Sequence, residues 1–137
     1  MKKLTIFSVG ISTILLTTPT PSYAQSAILT VNANQARGLD SKAIDVKVWT
    51  GRATAIDFSG VNERITQIFL ADPTHFTYAT DTPLDNGQAT TVFLRKIKPL
   101  KFPNLTTTNV TNLFVKTRAS DGKFHLYTFN LLHSNSS

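Results

Sequence analysis

The residues of this 137-residue sequence best able to bind a metal or move a proton are His75, His125 and His133. No two of them recur at the spacing that puts two ring nitrogens on one helical face, and the chain has no cysteine to complete a ligand set. His125 is expected on the side of its strand opposite an aromatic row, as a solvated histidine. Asp57 and Glu63 are the carboxylates closest to a general acid–base pair. Such a pair needs a cleft that drives its pKa values apart, and Asp57 alternates with apolar residues as an outward strand position does. The serines lack a nucleophile-elbow pattern. Gly10, Gly38, Gly51, Gly60, Gly87 and Gly122 are too dispersed for a phosphate-cradling loop. These patterns predict a protein that is not an enzyme, with no catalytic residues, no metal and no cofactor. The missing cysteines also exclude a disulfide framework and a lipid carried on an N-terminal cysteine, and they suit an oxidising compartment.

Such a compartment agrees with the start of the chain. Met1-Lys2-Lys3 is a positive n-region, Leu4 to Leu16 carries no charge, and Pro19 and Pro21 stop any helix. Ser22-Tyr23-Ala24 then offers small residues where a signal peptidase reads them, so residues 1–24 are expected to be a cleaved signal peptide of bacterial type. Spanning a bilayer takes about 20 apolar residues, and this run is shorter. The expected destination is the periplasm, with no integral membrane span after cleavage. Removing residues 1–24 leaves 113 residues, the size of one domain, and taking Lys2 and Lys3 away lowers the formal charge from +6 to +4. That excess is mild, and no nucleic-acid partner is expected. Its dense stretch, Arg95, Lys96, Lys98 and Lys101, reads as a solvated strand end, or as a contact for an acidic partner or a phosphate-bearing lipid.

The elements that must carry these residues are strands. Ile44, Val46 and Val48 alternate with Asp45 and Lys47, and Thr54, Ile56 and Phe58 alternate with Ala55 and Asp57. Thr50-Gly51 between them predicts a tight hairpin turn or a bulge in one long strand. Residues 61–72 carry both periods and are assigned as a strand because the segment is short and ends at Asp72-Pro73. Phe76 and Tyr78 mark another strand, and the turn cluster 82–87 leads into Thr90 to Leu94. Residues 98–110 form a Pro- and Thr-rich connection. The clearest hairpin runs from Leu113 to Thr117, turns at Asp121-Gly122 and returns from Phe124 to Leu131, with Tyr127, Phe129 and Leu131 on one face. The expected fold is all-β, a single β-sandwich of about seven to eight short, mostly antiparallel strands over residues 40–132. Residues 25–39 would precede it as an N-terminal extension, and residues 133–137 would follow as a disordered tail.

The order of these motifs resembles the conjugal-transfer TrbG/CagX family of type IV secretion systems. Val46 to Phe58, with Gly51, Thr54 and Phe58, is similar to that family's first strand pair. Glu63, Ile65 and Ile68 followed by Leu70-Ala71-Asp72-Pro73 resemble its next strand and small-Asp-Pro turn. Val92-Phe93-Leu94-Arg95 leads towards Lys98-Pro99. Thr111-Asn112-Leu113-Phe114-Val115-Lys116-Thr117 with Tyr127-Thr128-Phe129-Asn130-Leu131 resembles its closing hairpin, the most specific of these signatures. Ala71 stands where glycine is usual, the stretch from Lys96 to Pro103 is longer than expected, and the sequence lacks the second β-domain into which family members continue. The related TraK proteins share the module. The resemblance implies a structural component of an envelope secretion or conjugation complex, meeting other channel proteins and copies of itself and reaching the outer membrane only through partners. A free periplasmic ligand-binding sandwich is the alternative. Trp49 breaks the polar alternation of its strand. It is either a surface anchor, acting with Arg95, Lys96, Lys98 and Lys101 in a protein–protein surface, or a residue packed on its own core.

Overall fold

Residues 27–32, 35–38, 42–106 and 109–134 are described by a computed structural model; residues 1–24, expected as a signal peptide, and residues 135–137 of the expected tail lie outside them. The alternating segments form strands β1 (Ile28–Thr30), β2 (Ile44–Trp49), β3 (Ala53–Asp57), β4 (Glu63–Leu70), β5 (Phe76–Thr80), β6 (Thr91–Lys96), β7 (Val110–Ala119) and β8 (Phe124–Ser134). Two mixed sheets of four strands result, in the orders β1-β3-β6-β5 and β2-β8-β7-β4. The pairs β1–β3 and β2–β8 are parallel, and the other pairings are antiparallel.

Period two puts one face of every main strand inside. Val46 and Val48 of β2, Ile56 of β3, Leu94 of β6, Leu113 and Val115 of β7, and Tyr127, Phe129 and Leu131 of β8 are buried. Burying an aliphatic or aromatic side chain contributes about 1.5–3 kcal/mol, so this shared face supplies most of the drive to fold. Phe58, just past β3, stands edge-on to Tyr127 at 5.0 Å and to Phe129 at 6.0 Å between ring centroids, and so locks the two sheets together.

Four local expectations are corrected here. Thr50-Gly51 is neither a hairpin nor a bulge: β2 and β3 belong to different sheets, and Gly51 at φ 78° turns the corner between them. Residues 27–32 and 35–38 of the expected N-terminal extension belong to the sandwich, since β1 pairs with β3 and Val31 and Ala36 lie in the core. At the other end, β8 takes in His133 and Ser134. His125 has the same strand parity as Tyr127 and sits half-buried on the inner side, because residues two apart share a face.

One charge is buried among these apolar residues. Glu63, the first residue of β4, is 3% exposed. Its Oε1 accepts from the Thr117 hydroxyl at 2.5 Å and its Oε2 from the Tyr127 hydroxyl at 2.8 Å, and Arg37 Nη1 lies 3.7 Å from Oε2. Arg37 is brought there by residues 36–38, which bridge to β8 through Gly38 N–H to Leu126 O at 3.0 Å and Thr128 N–H to Ala36 O at 2.8 Å. Burial, reinforced by the Glu63 carboxylate, pushes the Tyr127 phenol up to about 12, so it remains a donor. Tyr127→Phe deletes a buried hydrogen bond to a charged acceptor. It is expected to lower stability by about 2 kcal/mol, read as a reduced urea midpoint with an unchanged m-value.

Candidate functional site

Where the two sheets meet near the small-Asp-Pro turn, ionisable groups gather. Asp72 is 3% exposed, and its carboxylate accepts from the Thr74 amide at 2.9 Å and from the Thr74 hydroxyl. His75 Nδ1 lies 3.2 Å from the other Asp72 oxygen and 2.8 Å from Thr74 Oγ1. Burial pushes the Asp72 carboxyl up, but the Thr74 hydroxyl and amide and the His75 ring outweigh it and hold the group below the usual carboxylate range. The His75 ring stands edge-on to His133 at 5.2 Å, and His133 in turn covers Phe76 at 4.7 Å. Desolvation, with Lys96 and His75 nearby, lowers the His133 pKa below its ordinary value. This cluster clamps the end of β8 onto β5. Among the described residues, no group of three His, Cys, Asp or Glu side chains could hold a metal ion, and no helix is long and apolar enough to cross a membrane.

The expected interaction residues differ in exposure. Trp49 is only 8% exposed and lies under the Arg52 guanidinium, 4.8 Å from the ring centroid. Its strand ends there, and the turn at Gly51 folds Arg52 back over the indole, so the break in alternation marks a covered strand end and not a surface anchor. Arg95 is exposed on the outer face of β6, whereas Lys96 has the parity of buried Leu94 and lies close enough to His133 to act on its charge. Lys98 and Lys101 follow in the exposed connection after β6. The family-motif residues are structural. Thr54, Phe58, Asp72, Thr111, Leu113, Tyr127 and Phe129 are buried, Gly51 makes the corner, Pro73 is exposed beside Asp72, and the Asn112 carbonyl accepts from Ala71 N–H at 3.1 Å.

The surface feature that sequence reasoning missed is a sheet edge. Each sheet ends in two edge strands, and three of the four are protected. β1 is three residues long. On β2, the outward carbonyls of Lys47 and Trp49 accept from Thr54 Oγ1 at 2.8 Å and from Arg52 N–H at 3.3 Å. β4 carries an irregularity between Ile65 and Gln67, and Ile65 N–H donates to Ala89 O at 2.7 Å. Among the described residues, β5 has no such cover: Leu100 N–H reaches Thr74 O at 2.9 Å, just before the strand, and no further. Ile97 N–H donates to His75 O, and Asp81 N–H to Thr91 O, so the odd-numbered residues of β5 turn their backbone groups towards β6. The N–H and C=O groups of Phe76, Tyr78 and Thr80 therefore point away from the sheet. Tyr78 is 39% exposed, and beside this edge Ala53, Thr77, Ala79, Phe93 and Arg95 line a shallow recess of 220 Å³ on the outer face.

On the outer face of the second sheet, Phe69 is 61% exposed and lies 6.4 Å from Phe114, which is paired with it across β4 and β7. Farther along, Phe124 is exposed beneath Lys116 at 5.0 Å.

No family model matches the chain, and no curated protein matches it. Among solved structures, the chain is similar to the sialic acid binding region of a Streptococcus sanguinis SK1 adhesin bound to 3'sLn, at 15% identity and a TM-score of 0.34. That alignment covers 73% of this chain and 29% of the adhesin chain, and at this level it carries no argument about either fold or ligand.

Two outcomes follow from this geometry. Trp49→Ala is expected to lower stability by about 3 kcal/mol or more, the cost of emptying a buried aromatic site, as measured by urea unfolding. His133 resists protonation when folded, so the unfolded chain takes up its proton first as pH falls below 6.5. The stabilisation is complete above that pH and is lost below it. Wild-type urea midpoints should therefore fall between pH 7.5 and pH 5, and His133→Gln should flatten that slope.

Proposed function

We propose that this protein is an exported, non-enzymatic structural component of an envelope assembly, a periplasmic module resembling the N-terminal domain of TrbG/CagX proteins of type IV secretion or conjugation complexes. The observation that carries this reading is the open edge of β5, where Phe76, Tyr78 and Thr80 present unpaired backbone groups while the other edges are shortened, capped or irregular. An unprotected edge is a liability in a free protein and an attachment point in an assembled one. The aromatic patch at Phe69 and Phe114 lies on the other sheet, so the molecule has two separate surfaces to offer neighbours. The resemblance in residues 40–132 supplies the finer identity, from Gly51, Thr54 and Phe58 through Asp72-Pro73 to the hairpin of Leu113 and Phe129.

The test is affinity capture of the tagged full-length protein, at native level, from its own envelope fraction in mild detergent, read by mass spectrometry. Co-recovery of secretion-channel proteins is the expected result. A lone soluble species of domain size would overturn the reading and favour a free ligand-binding sandwich. In the same experiment, Phe69→Asp combined with Phe114→Ser is expected to reduce recovery of one class of neighbour several-fold, since aromatic residues dominate interface energetics.

A further inference from the structure

Resting on the reading of the β5 edge as an attachment point, we propose that its occupant is β5 of a second copy of this chain, paired antiparallel about a two-fold axis at Tyr78. The inference starts from register. The outward-facing residues of β5 are Phe76, Tyr78 and Thr80. In an antiparallel ladder, residues that exchange both hydrogen bonds lie directly opposite each other. Tyr78 opposite the second copy's Tyr78 sets Phe76 opposite the second copy's Thr80 and Thr80 opposite the second copy's Phe76. This register leaves no outward N–H or C=O of these residues unused on either strand. A two-fold contact is self-complementary and closed, so it yields a defined pair and not a fibre.

Charge fits the same arrangement. The Phe76 end of β5 is flanked by Arg95 and Lys98 and by His75, whose ring already lies against the buried Asp72 carboxylate, and the Thr80 end by Asp81 and exposed Asp85. Asp81 is held in place by the amides of Thr90 and Thr91, at 3.0 and 3.1 Å from its Oδ1. The two-fold brings the basic end of one strand to the acidic end of the other and sets His75 opposite the second copy's Asp81. A parallel or shifted copy would bring like ends together or leave outward groups unpaired. Side chains agree as well. Thr77 meets the small Ala79 of the second copy on the outer face, and the two half-exposed Tyr78 rings become neighbours at the rim. Nothing on this strand opposes pairing: it contains no proline, lysine, glycine or irregularity.

Sedimentation equilibrium of the purified mature protein tests this, with Tyr78→Pro as the variant. Proline at position 78 removes an N–H that the monomer does not use, and its fixed φ is tolerated on an edge strand; thermal unfolding followed by circular dichroism checks that the monomer is intact. The expected result is a wild-type monomer–dimer equilibrium that Tyr78→Pro weakens at least about tenfold, since two hydrogen bonds are lost per dimer. A second measurement fixes the register without depending on that variant. The chain has no cysteine, so Tyr78→Cys should give a disulfide-linked dimer on mild oxidation, its Cα atoms about 5.5 Å apart. Ala79→Cys should not, because it lies opposite Thr77 and roughly 7 Å along the strand from its counterpart. A wild-type chain that stays monomeric, a dimer indifferent to Tyr78→Pro, or equal crosslinking at both positions overturns the proposal. A monomer that still captures channel proteins from the envelope would refute self-pairing and leave the assembly role standing.

Discussion

The buried carboxylate of Glu63 is the interaction on which the rest of the sandwich depends. A charge out of water is costly unless it is paired and hydrogen-bonded, and Glu63 meets that demand with groups from three other places in the chain: Thr117 of β7, Tyr127 of β8 and Arg37 of the segment before β2. A slip of β4 by one residue would turn Glu63 outwards and bring Arg64 inside. The carboxylate therefore fixes the register of the second sheet, and it also anchors residues 36–38, whose path leads into β2. An apolar residue at position 63 would fill the space without imposing any of this. The cluster at Asp72 acts at the opposite end of the same strand, where it ties the turn after β4 to the last residues of β8.

How far the sequence disclosed this depends on the range of each interaction. The β7–β8 hairpin was legible because its signals are local: alternating apolar residues on both arms and Asp121-Gly122 between them, with Gly122 at φ 85° and Asp121 Oδ1 accepting from Lys123 N–H at 2.9 Å. The all-β class followed from the same periodicity. Glu63 gave no signal of burial, since its hydroxyl partners lie 54 and 64 residues away. Trp49 stayed open between surface and core because strand alternation describes two faces and knows nothing of a turn that folds an arginine over the strand's end. β1 is too short to show a period, and only its pairing with β3 identifies it. The β5 edge was invisible for a further reason: whether a strand is central or terminal in its sheet is decided by the order of all the others.

That order also explains why protection differs from edge to edge. β2 is covered by its own continuation, because the corner at Gly51 returns Arg52 and Thr54 to its outward carbonyls. β4 is covered by the chain on its way into β6, through Ala89. β5 enters from the Asp72 turn and leaves through the Leu84–Asn86 turn, and neither passes across its outward side. Protection elsewhere thus comes from the connections between strands; among the described residues, the chain after β6 reaches only Thr74, just before β5, through Leu100 N–H to Thr74 O at 2.9 Å, and leaves Phe76, Tyr78 and Thr80 uncovered.

The last of the eight strands in chain order, β8, does not sit at the margin of its sheet but between β2 and β7, and it carries Tyr127, Phe129 and Leu131 into the centre of the core. Its parallel partner β2 precedes it by 85 residues in register, Ile44 lying against Phe129. Loop closure over that span must precede the gain in contacts, which makes for slow folding. A nascent chain that has not yet reached Phe124 has neither the middle of the second sheet nor the donor that satisfies Glu63 Oε2. Folding of the second sheet is thereby coupled to the synthesis of β8, however early the other strands emerge.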